Sequence, residues 1–434
     1  MEKTLELACR QAEQAEVFRV TSNSTPVRFE ANRLKHVLTR ESRATALRII
    51  KNGRIGFAQV SGKFDASRMV EMAVETAAFG AEAKFDLPCS SEYAPVDIFD
   101  PEIRHVSIED MAEIGQKLID RIRGHSPEII CEAHLTQGIA MTELMNSSGC
   151  HAKYEKSYFS IGIEGVLMNG DEMLYVGDGQ NSCHPLMDTN KVANEVITQL
   201  EMAKRNADLR GGLLPVILVP QGVASALISP LLSALNGKTV YNGASPLKDK
   251  IGSRVFCAQV SLWDDSTIPF HVASAPCDDE GIPAQKTTLI EDGVVSSFIY
   301  DLQTAGLAGK RSTGNGGRGG GLPTPTPNAL VFKDGCVSQQ DMLEEIDEGL
   351  LIYQLMGATQ GNILNGDFSG NVLLGYKIEK GKVTGRVKDS MVSGNVYKLL
   401  ADVAAMGNDS RWVDGILHSP SIYLPALSVA VKGG

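Results

Sequence analysis

Between Ser312 and Asn328 the chain reads STGNGGRGGGLPTPTPN, glycines followed by spaced prolines, a run that suits neither a helix nor a central strand. Gly314, Gly316 and Gly319 satisfy the GxGxxG spacing of dinucleotide-binding folds. That spacing holds a pyrophosphate only where the glycines leave a strand and open a helix, whose first N–H groups face the ligand. Here Gly320, Gly321 and Leu322 lead into Pro323, Pro325 and Pro327, which remove donors and hold their predecessors extended. No helix can start there. Upstream, Asp301–Lys310 (DLQTAGLAGK) predicts a short helix or turn rather than a strand. Gly306–Ser312 (GLAGKRS) places two residues between its glycines where a Walker A loop needs four. The run is neither a dinucleotide site nor a phosphate loop.

The formal charge of −11 and the lack of any Lys/Arg cluster argue against a sequence-independent nucleic-acid surface. No apolar run reaches the roughly 18–20 residues of a membrane span. The start, MEKTLELACRQAEQ, reads as an amphipathic helix rather than a signal peptide, so a cytoplasmic protein is expected. The eight cysteines (9, 89, 131, 150, 183, 257, 277 and 336) form no CxxC and no close-spaced framework. Reduced, mostly buried thiols are expected.

A chain of 434 residues can form two or three domains. The pattern divides into an N-terminal α+β domain, residues 1–209, and a β-rich α+β domain, residues 210–434, meeting at Arg210–Leu214 (RGGLL). Phe18–Val27 and Val37–Arg43 predict strands around Arg28–Lys35, and Asn52-Gly53 marks a hairpin between Ala44–Ile50 and Phe57–Val60. Helices are predicted over Asp65–Gly80, over Ser107–Gly124 with Ser107 as cap and Asp110 three residues on, and over Asp188–Ala207. Strands fill Ile129–Val176, broken at Asn146–Gly149 and Asn169–Asp171. Beyond the boundary come a buried strand Pro215–Val219, an apolar helix Gly222–Leu235 containing Pro230, and strands with glycine turns from Val255 to Lys333. A helix at Asp341–Met356, hairpins to Val387, a helix at Asn395–Met406 and an apolar tail Ile422–Val431 complete the chain. Without regular βαβ alternation or a short repeat, this is an α+β protein, with mixed sheets and helices in two intertwined domains.

Motifs that carry chemistry are scarce. The eight His, at 36, 105, 125, 134, 151, 184, 271 and 418, include no pair at i+4 or i+5 and none followed by Glu. Neighbours in Cys150-His151 and Cys183-His184 point to opposite faces if they lie on strands. No GxSxG elbow supports a hydrolase triad. Cys277–Gly281 (CDDEG) reads first as a solvated turn, with a cation site or acid–base pair at Asp278, Asp279 and Glu280 as the alternative. Asp264-Asp265 reads as a loop, and Asn365–Ser369 (NGDFS) as a tight turn whose Asp367 and Ser369 can orient a ligand or cap amides.

Several segments together are informative: Arg28–Lys35 with Leu47–Phe57 (LRIIKNGRIGF), Val240–Gly252 (VYNGASPLKDKIG), Asp279–Pro283, Ser312–Asn315 (STGN), Gly361–Gly381 (GNILNGDFSGNVLLGYKIEKG) and Met391–Leu400 (MVSGNVYKLL). In order and spacing, from near residue 15 to the C-terminus, the chain resembles the TldD/PmbA family, historically called modulators of DNA gyrase. The resemblance implies a cytoplasmic metalloprotease system. In it a TldD subunit and a TldE (PmbA) subunit enclose a narrow cavity and cleave unfolded or short peptides. It further implies that TldD carries HExxxH on a helix plus a distant Cys as zinc ligands, and that TldE lacks them. In this sequence that helix falls at Gly222–Leu235, where Ser229, Pro230 and Ala234 stand in place of His, Glu and the second His, and no Cys follows Cys336.

The expectation is a PmbA/TldE-like chain without catalytic or metal-ligating residues and without a cofactor of its own, zinc belonging to a TldD-type partner. Its partners would be a TldD-like subunit or a second copy, and an unfolded peptide, with no nucleic acid and no membrane. Glycines allow close backbone approach to an extended peptide. Candidate peptide- or interface-lining residues are therefore Asp279, Glu280, Gly281, Thr313, Gly314, Asn315, Gly316, Asp367 and Ser369. Two alternatives remain open: a homodimeric binding or scaffold protein linked to toxin–antitoxin or gyrase modulation, and a peptidase with an unconventional site around Cys277–Glu280.

Overall fold

The computed structural model describes residues 1–89, 92–170 and 172–432. Its N-terminal half is built on an antiparallel seven-stranded sheet. Across it run Arg54–Ser61, Arg40–Lys51, Gln14–Glu30, Ile130–Asn146, His151–Asn169 and Glu172–Ser182, with Arg33–Val37 paired to the outer end of Gln14–Glu30. The Asn52-Gly53 hairpin forms as predicted: both residues take positive φ (50° and 69°), the geometry that matches strand twist in a two-residue turn. The break near Asn146–Gly149 also forms, while Asp171 of the second predicted break lies outside the described residues.

Helices close the faces of this sheet. Ala66–Ala77 begins at Asp65, whose carboxylate accepts from the Ser67 N–H. Its buried Met69, Val70, Ala73 and Ala77 join Val17, Leu47, Ile49 and Ala58 in a small core. Ile108–His125 begins with the predicted capping box, Ser107 with Asp110. Its stripe of Met111, Leu118 and Ile122 packs on Phe29, Leu135 and Phe159. Asn190–Met202 covers the neighbouring surface.

The C-terminal half holds a second sheet that closes on itself. Glu348–Met356, Gly212–Leu218, Ile422–Val431, Ser390–Asn395 and Asp367–Glu379 pair in that order, and Asp367–Glu379 pairs back to Glu348–Met356. Closure removes the exposed edges that would template aggregation. A third sheet contains Lys286–Glu291, Leu262–Asp265, Leu330–Phe332, Leu417–Ser419 and Arg411–Val413. The fold is α+β. One core takes residues from both halves, since Phe29, Met111 and Phe159 share it with Ile217, Tyr353, Tyr376 and Tyr423. The Tyr376 hydroxyl donates to the Gln199 carbonyl across that junction (2.8 Å).

Three expectations are corrected. Asp341–Met356 is not one helix: Gln339–Glu344, capped by Ser338, is followed by the strand Glu348–Met356. The run GLLIY is apolar on consecutive positions because both faces of that strand are covered, and periodicity alone cannot separate this from a buried helix. Asn395–Met406 is helical only over Val396–Ala401, and Ala405–Met406 pairs with Ile422–Tyr423 instead. The thiols are all free, but only Cys131, Cys150, Cys183 and Cys277 are buried, whereas Cys9, Cys89 and Cys336 are exposed. Among the described residues no helix is long and apolar enough to cross a membrane.

Candidate functional site

The helix predicted over Gly222–Leu235 runs from Pro220 to Leu235, with a wider π-helical turn at Ala224–Ile228. The wide turn sits immediately before Pro230, whose ring would otherwise crowd the preceding turn and whose nitrogen donates nothing. Ser229 is exposed, and Pro230 and Ala234 are buried. Between them these three side chains offer one hydroxyl. Among the described residues, no three His, Cys, Asp or Glu cluster so as to hold a metal. The donor set does not fit a zinc ion.

Asp367 and Ser369 lie beside this helix. Gly366 takes a positive φ of 84°, and a Cβ there would strike the Tyr397 ring (2.3 Å). The Tyr397 hydroxyl lies within donating distance of the Pro230 and Leu364 carbonyls (3.4 and 3.3 Å). Asn395 Nδ2 donates to Asp367 Oδ1 (2.8 Å), and Ser369 pairs with Ser393 on the adjacent strand. The segment is a turn that opens a strand, with Asp367 committed to the backbone's neighbour Asn395.

The remaining candidates form one cluster, and it is not the solvated turn that the sequence suggests. Asp278 folds the acidic run back on itself: Oδ1 accepts from the N–H groups of Glu280 (3.0 Å) and Ile282 (2.9 Å), and Oδ2 from Gly316 (2.8 Å). Asp279 Oδ2 accepts from the Arg318 N–H (2.8 Å), and the Asp279 N–H donates to the Gly316 carbonyl (3.0 Å). Glu280 is fully buried, taking the Leu302 N–H on Oε2 (2.7 Å) and Arg48 Nη1 on Oε1 (2.5 Å). Gly281 has a φ of 81°, and its carbonyl accepts from Tyr93 (3.1 Å). Gly316 is glycine for want of space, because a Cβ there would lie 2.3 Å from the Glu280 carboxylate.

The glycine–proline run is built into this cluster as a small two-stranded ribbon, Gly316–Gly317 against Thr324–Pro325. Thr313 donates its hydroxyl hydrogen to Asn315 Oδ1 (2.7 Å) and accepts from the Tyr300 N–H (2.8 Å). Gly314 turns with a φ of 71°. Asn315, buried, donates to Asp264 Oδ2 (2.7 Å) and to the Thr326 carbonyl (3.0 Å). Asp264 is therefore no loop residue: it is 1% exposed on the strand Leu262–Asp265 and also accepts from Asn328. Only Gly319, Gly320 and Gly321 have open space where a Cβ would stand.

Two arginines tie the cluster to the N-terminal sheet. Arg48 lies between Glu280 and Glu16, its Nη2 3.0 Å from Glu16 Oε2, and Arg318 pairs with Glu16 Oε1. Burial disfavours the charge on Arg48, but Glu16 and Glu280 more than offset it, so its pKa is raised and it stays a cation. Burial raises the carboxyl pKa of Asp278, Asp279 and Glu280; Glu280 adds to the rise at Asp278, and Arg48 opposes it at Glu280. The bonds of Asp278 and Glu280 are consumed internally, which leaves no acid–base pair facing a substrate. Arg48 and Glu16 were not singled out in the sequence, although a charge inside the apolar strand run ALRII is a usable signal.

A cleft of about 500 Å³ lies apart from this cluster. Gly162, Gly177 and Gly179 of the strands His151–Asn169 and Glu172–Ser182 form one wall, and Gln221 and Ser225 of the kinked helix another. Arg411 and Trp412 close a third side. The Asp178 side chain is buried there and paired to Arg411. None of these residues was a sequence candidate; an acid flanked by glycines in a strand (VGDGQ) was the available signal.

The C-terminal-domain model of the PmbA/TldA metallopeptidases matches residues 211–431, and the model of their first domain matches residues 15–77. The chain belongs to the PmbA/TldD family. It is similar to an uncharacterized protein of Methanocaldococcus jannaschii (26% identity over 97% of this chain and 98% of the relative). It is also similar to a metalloprotease of Methanothermobacter thermautotrophicus (24% identity, 92% and 89% covered). The crystal structure of TldE from Thermococcus kodakarensis superposes with a TM-score of 0.91 at 24% identity, covering 99% of each chain, which establishes a shared fold. The chain is thus a member of a metalloprotease family whose own kinked helix lacks metal donors.

Proposed function

We propose that this chain is a TldE-like, non-catalytic subunit of a two-component metallopeptidase that acts in the cytoplasm on unfolded or short peptides. One observation carries the reading: Ser229, Pro230 and Ala234 occupy the helix at which the family resemblance places the metal, while the surrounding scaffold is kept. A pure scaffold lineage would have no reason to retain the strand walls of an open cleft, whereas a partner in peptide handling would. Zinc and the hydrolytic step belong, in this reading, to a TldD-like partner.

The test is reconstitution with a TldD-like chain on an unstructured fluorogenic peptide, beside metal analysis of each chain. Cleavage by the pair, abolished by chelator and absent from this chain alone, supports the proposal. Stoichiometric zinc with chelator-sensitive cleavage in the isolated chain would overturn it. A stable homodimer that ignores TldD-like chains would favour the scaffold reading instead.

A further inference from the structure

We propose that the cleft beside the strand Glu172–Ser182 is a binding site for an ammonium group carried on a peptide, received by the Asp178 carboxylate. The peptide as carrier rests on the function proposed above; the charge preference rests on the cleft alone. The Asp178 side chain is 3% exposed. Its Oδ1 accepts from Arg411 and from Gln221 Nε2 (3.3 Å), while Oδ2 is buried with no hydrogen-bond partner among the described residues. A buried carboxylate oxygen without a donor is costly, and a bound N–H group removes that cost.

The surroundings select a cation. Arg411 is shared, because its other nitrogen lies 3.5 Å from Glu195. Among the charged residues lining the cleft, Glu164, Asp178 and Asp414 face only Arg411. Burial raises the Asp178 pKa to about 6; Arg411 opposes the rise, Glu195 reinforces it, and the adjacent Gly179 N–H opposes it weakly. Gly162 and Gly179 are paired across neighbouring strands; the His134 ring stands where a Gly162 Cβ would point (2.4 Å), while a Cβ at Gly179 would meet only backbone. Tyr175, Tyr353 and Trp412 supply aromatic walls suited to a cation. The volume of about 500 Å³ falls within the roughly 300–1,000 Å³ of small-ligand sites.

The ammonium has two sources on a peptide, a lysine side chain or the N-terminus, and calorimetry on the full chain separates them. The probes are Nα-acetyl-lysine amide, alanyl-alanine amide, and Nα-acetyl-norleucine amide as the uncharged control. Saturable binding of one of the amines but not of the norleucine compound is expected, and the amine that binds more tightly names the source. Asp178→Asn should weaken that binding at least tenfold, about 1.4 kcal/mol. Asp414→Asn is the second variant: its site is exposed with a φ of 52°, which Asn tolerates, and a two- to fivefold loss is expected. Equal binding of norleucine, no binding of either amine, or full affinity in both variants overturns the proposal. Amine binding without peptide cleavage by the reconstituted pair would keep this site and discard the peptidase reading.

Discussion

Arg48 offers the sharpest test of how the two halves are joined. Its guanidinium is 2% exposed and is shared between Glu16 and Glu280, each fully buried, with the Phe85 ring 4.7 Å away. Arg48→Met keeps the length and the apolar stem but removes both charge-assisted bonds. Glu16 retains Arg318 and Glu280 retains the Leu302 N–H, so neither carboxylate is left bare. Breaking a buried pair by removing one partner costs roughly 3–5 kcal/mol, and these residual bonds place the expectation near about 3. That is about a hundredfold in the unfolding equilibrium. The assay is equilibrium urea unfolding followed by the two tryptophans, Trp263 and Trp412. Glu280→Gln keeps an acceptor for Leu302 but removes the charge, so in the Arg48→Met background it should cost less than in the wild type. A coupling of about 1 kcal/mol or more is expected between such contacting residues. A loss below about 1 kcal/mol for Arg48→Met, or strict additivity with Glu280→Gln, would refute the claim that this network carries the junction.

The loop glycines should behave differently from one another. Gly316→Ala drives a Cβ into Glu280 and is expected to cost about 1–3 kcal/mol, whereas Gly319→Ala meets open space and should stay within about 0.5 kcal/mol in the same unfolding assay. His271 should make stability depend on pH. It is 6% exposed against Trp412, and burial, reinforced by Lys156 and His418, lowers its pKa from 6.5 to about 4. The unfolded chain takes up that proton first, so the native advantage is complete above pH 6.5 and is lost as the pH falls toward 4, by up to about 3 kcal/mol. His271→Phe should flatten the decline between pH 6.5 and 4.5, and an unchanged slope would contradict this account.

Local signals in the sequence translated well into structure. Asn52-Gly53 and the Ser107/Asp110 pair act through their nearest neighbours, and both formed where their chemistry dictates. Glu348–Met356 did not read as a strand because its consecutive apolar residues fit a buried helix equally well, and its parallel partner Gly212–Leu218, which helps cover it, lies far away in sequence. The same limit hid the acidic turn. Asp278-Asp279-Glu280 carries three charges in a row, and nothing within ten residues announces Arg48 or Glu16, which arrive from the other half of the chain. Asp178 is a milder case, since its partner Arg411 is distant but its flanking glycines are adjacent.

This arrangement bears on why the glycine–proline run is kept beside a helix, Pro220–Leu235, that carries no His, Cys, Asp or Glu. Gly316 must be small to clear Glu280, Asn315 must reach Asp264, and Arg318 must reach Glu16, all within four residues of one another. Each of these demands is met by contacts inside the chain. The side chains on that helix therefore constrain nothing in the loop, whose members hold one another: removing any one strands a buried charge or amide elsewhere. An interface or peptide role for the loop is confined to the open tip, Gly319–Leu322, where side chains can be added without touching the network. Bulky substitutions at Gly319 or Gly321, which lack the left-handed φ of Gly320 (86°), should then alter association with a TldD-like partner while leaving the unfolding midpoint in place. A shifted midpoint with unchanged association would make the whole run an internal strut.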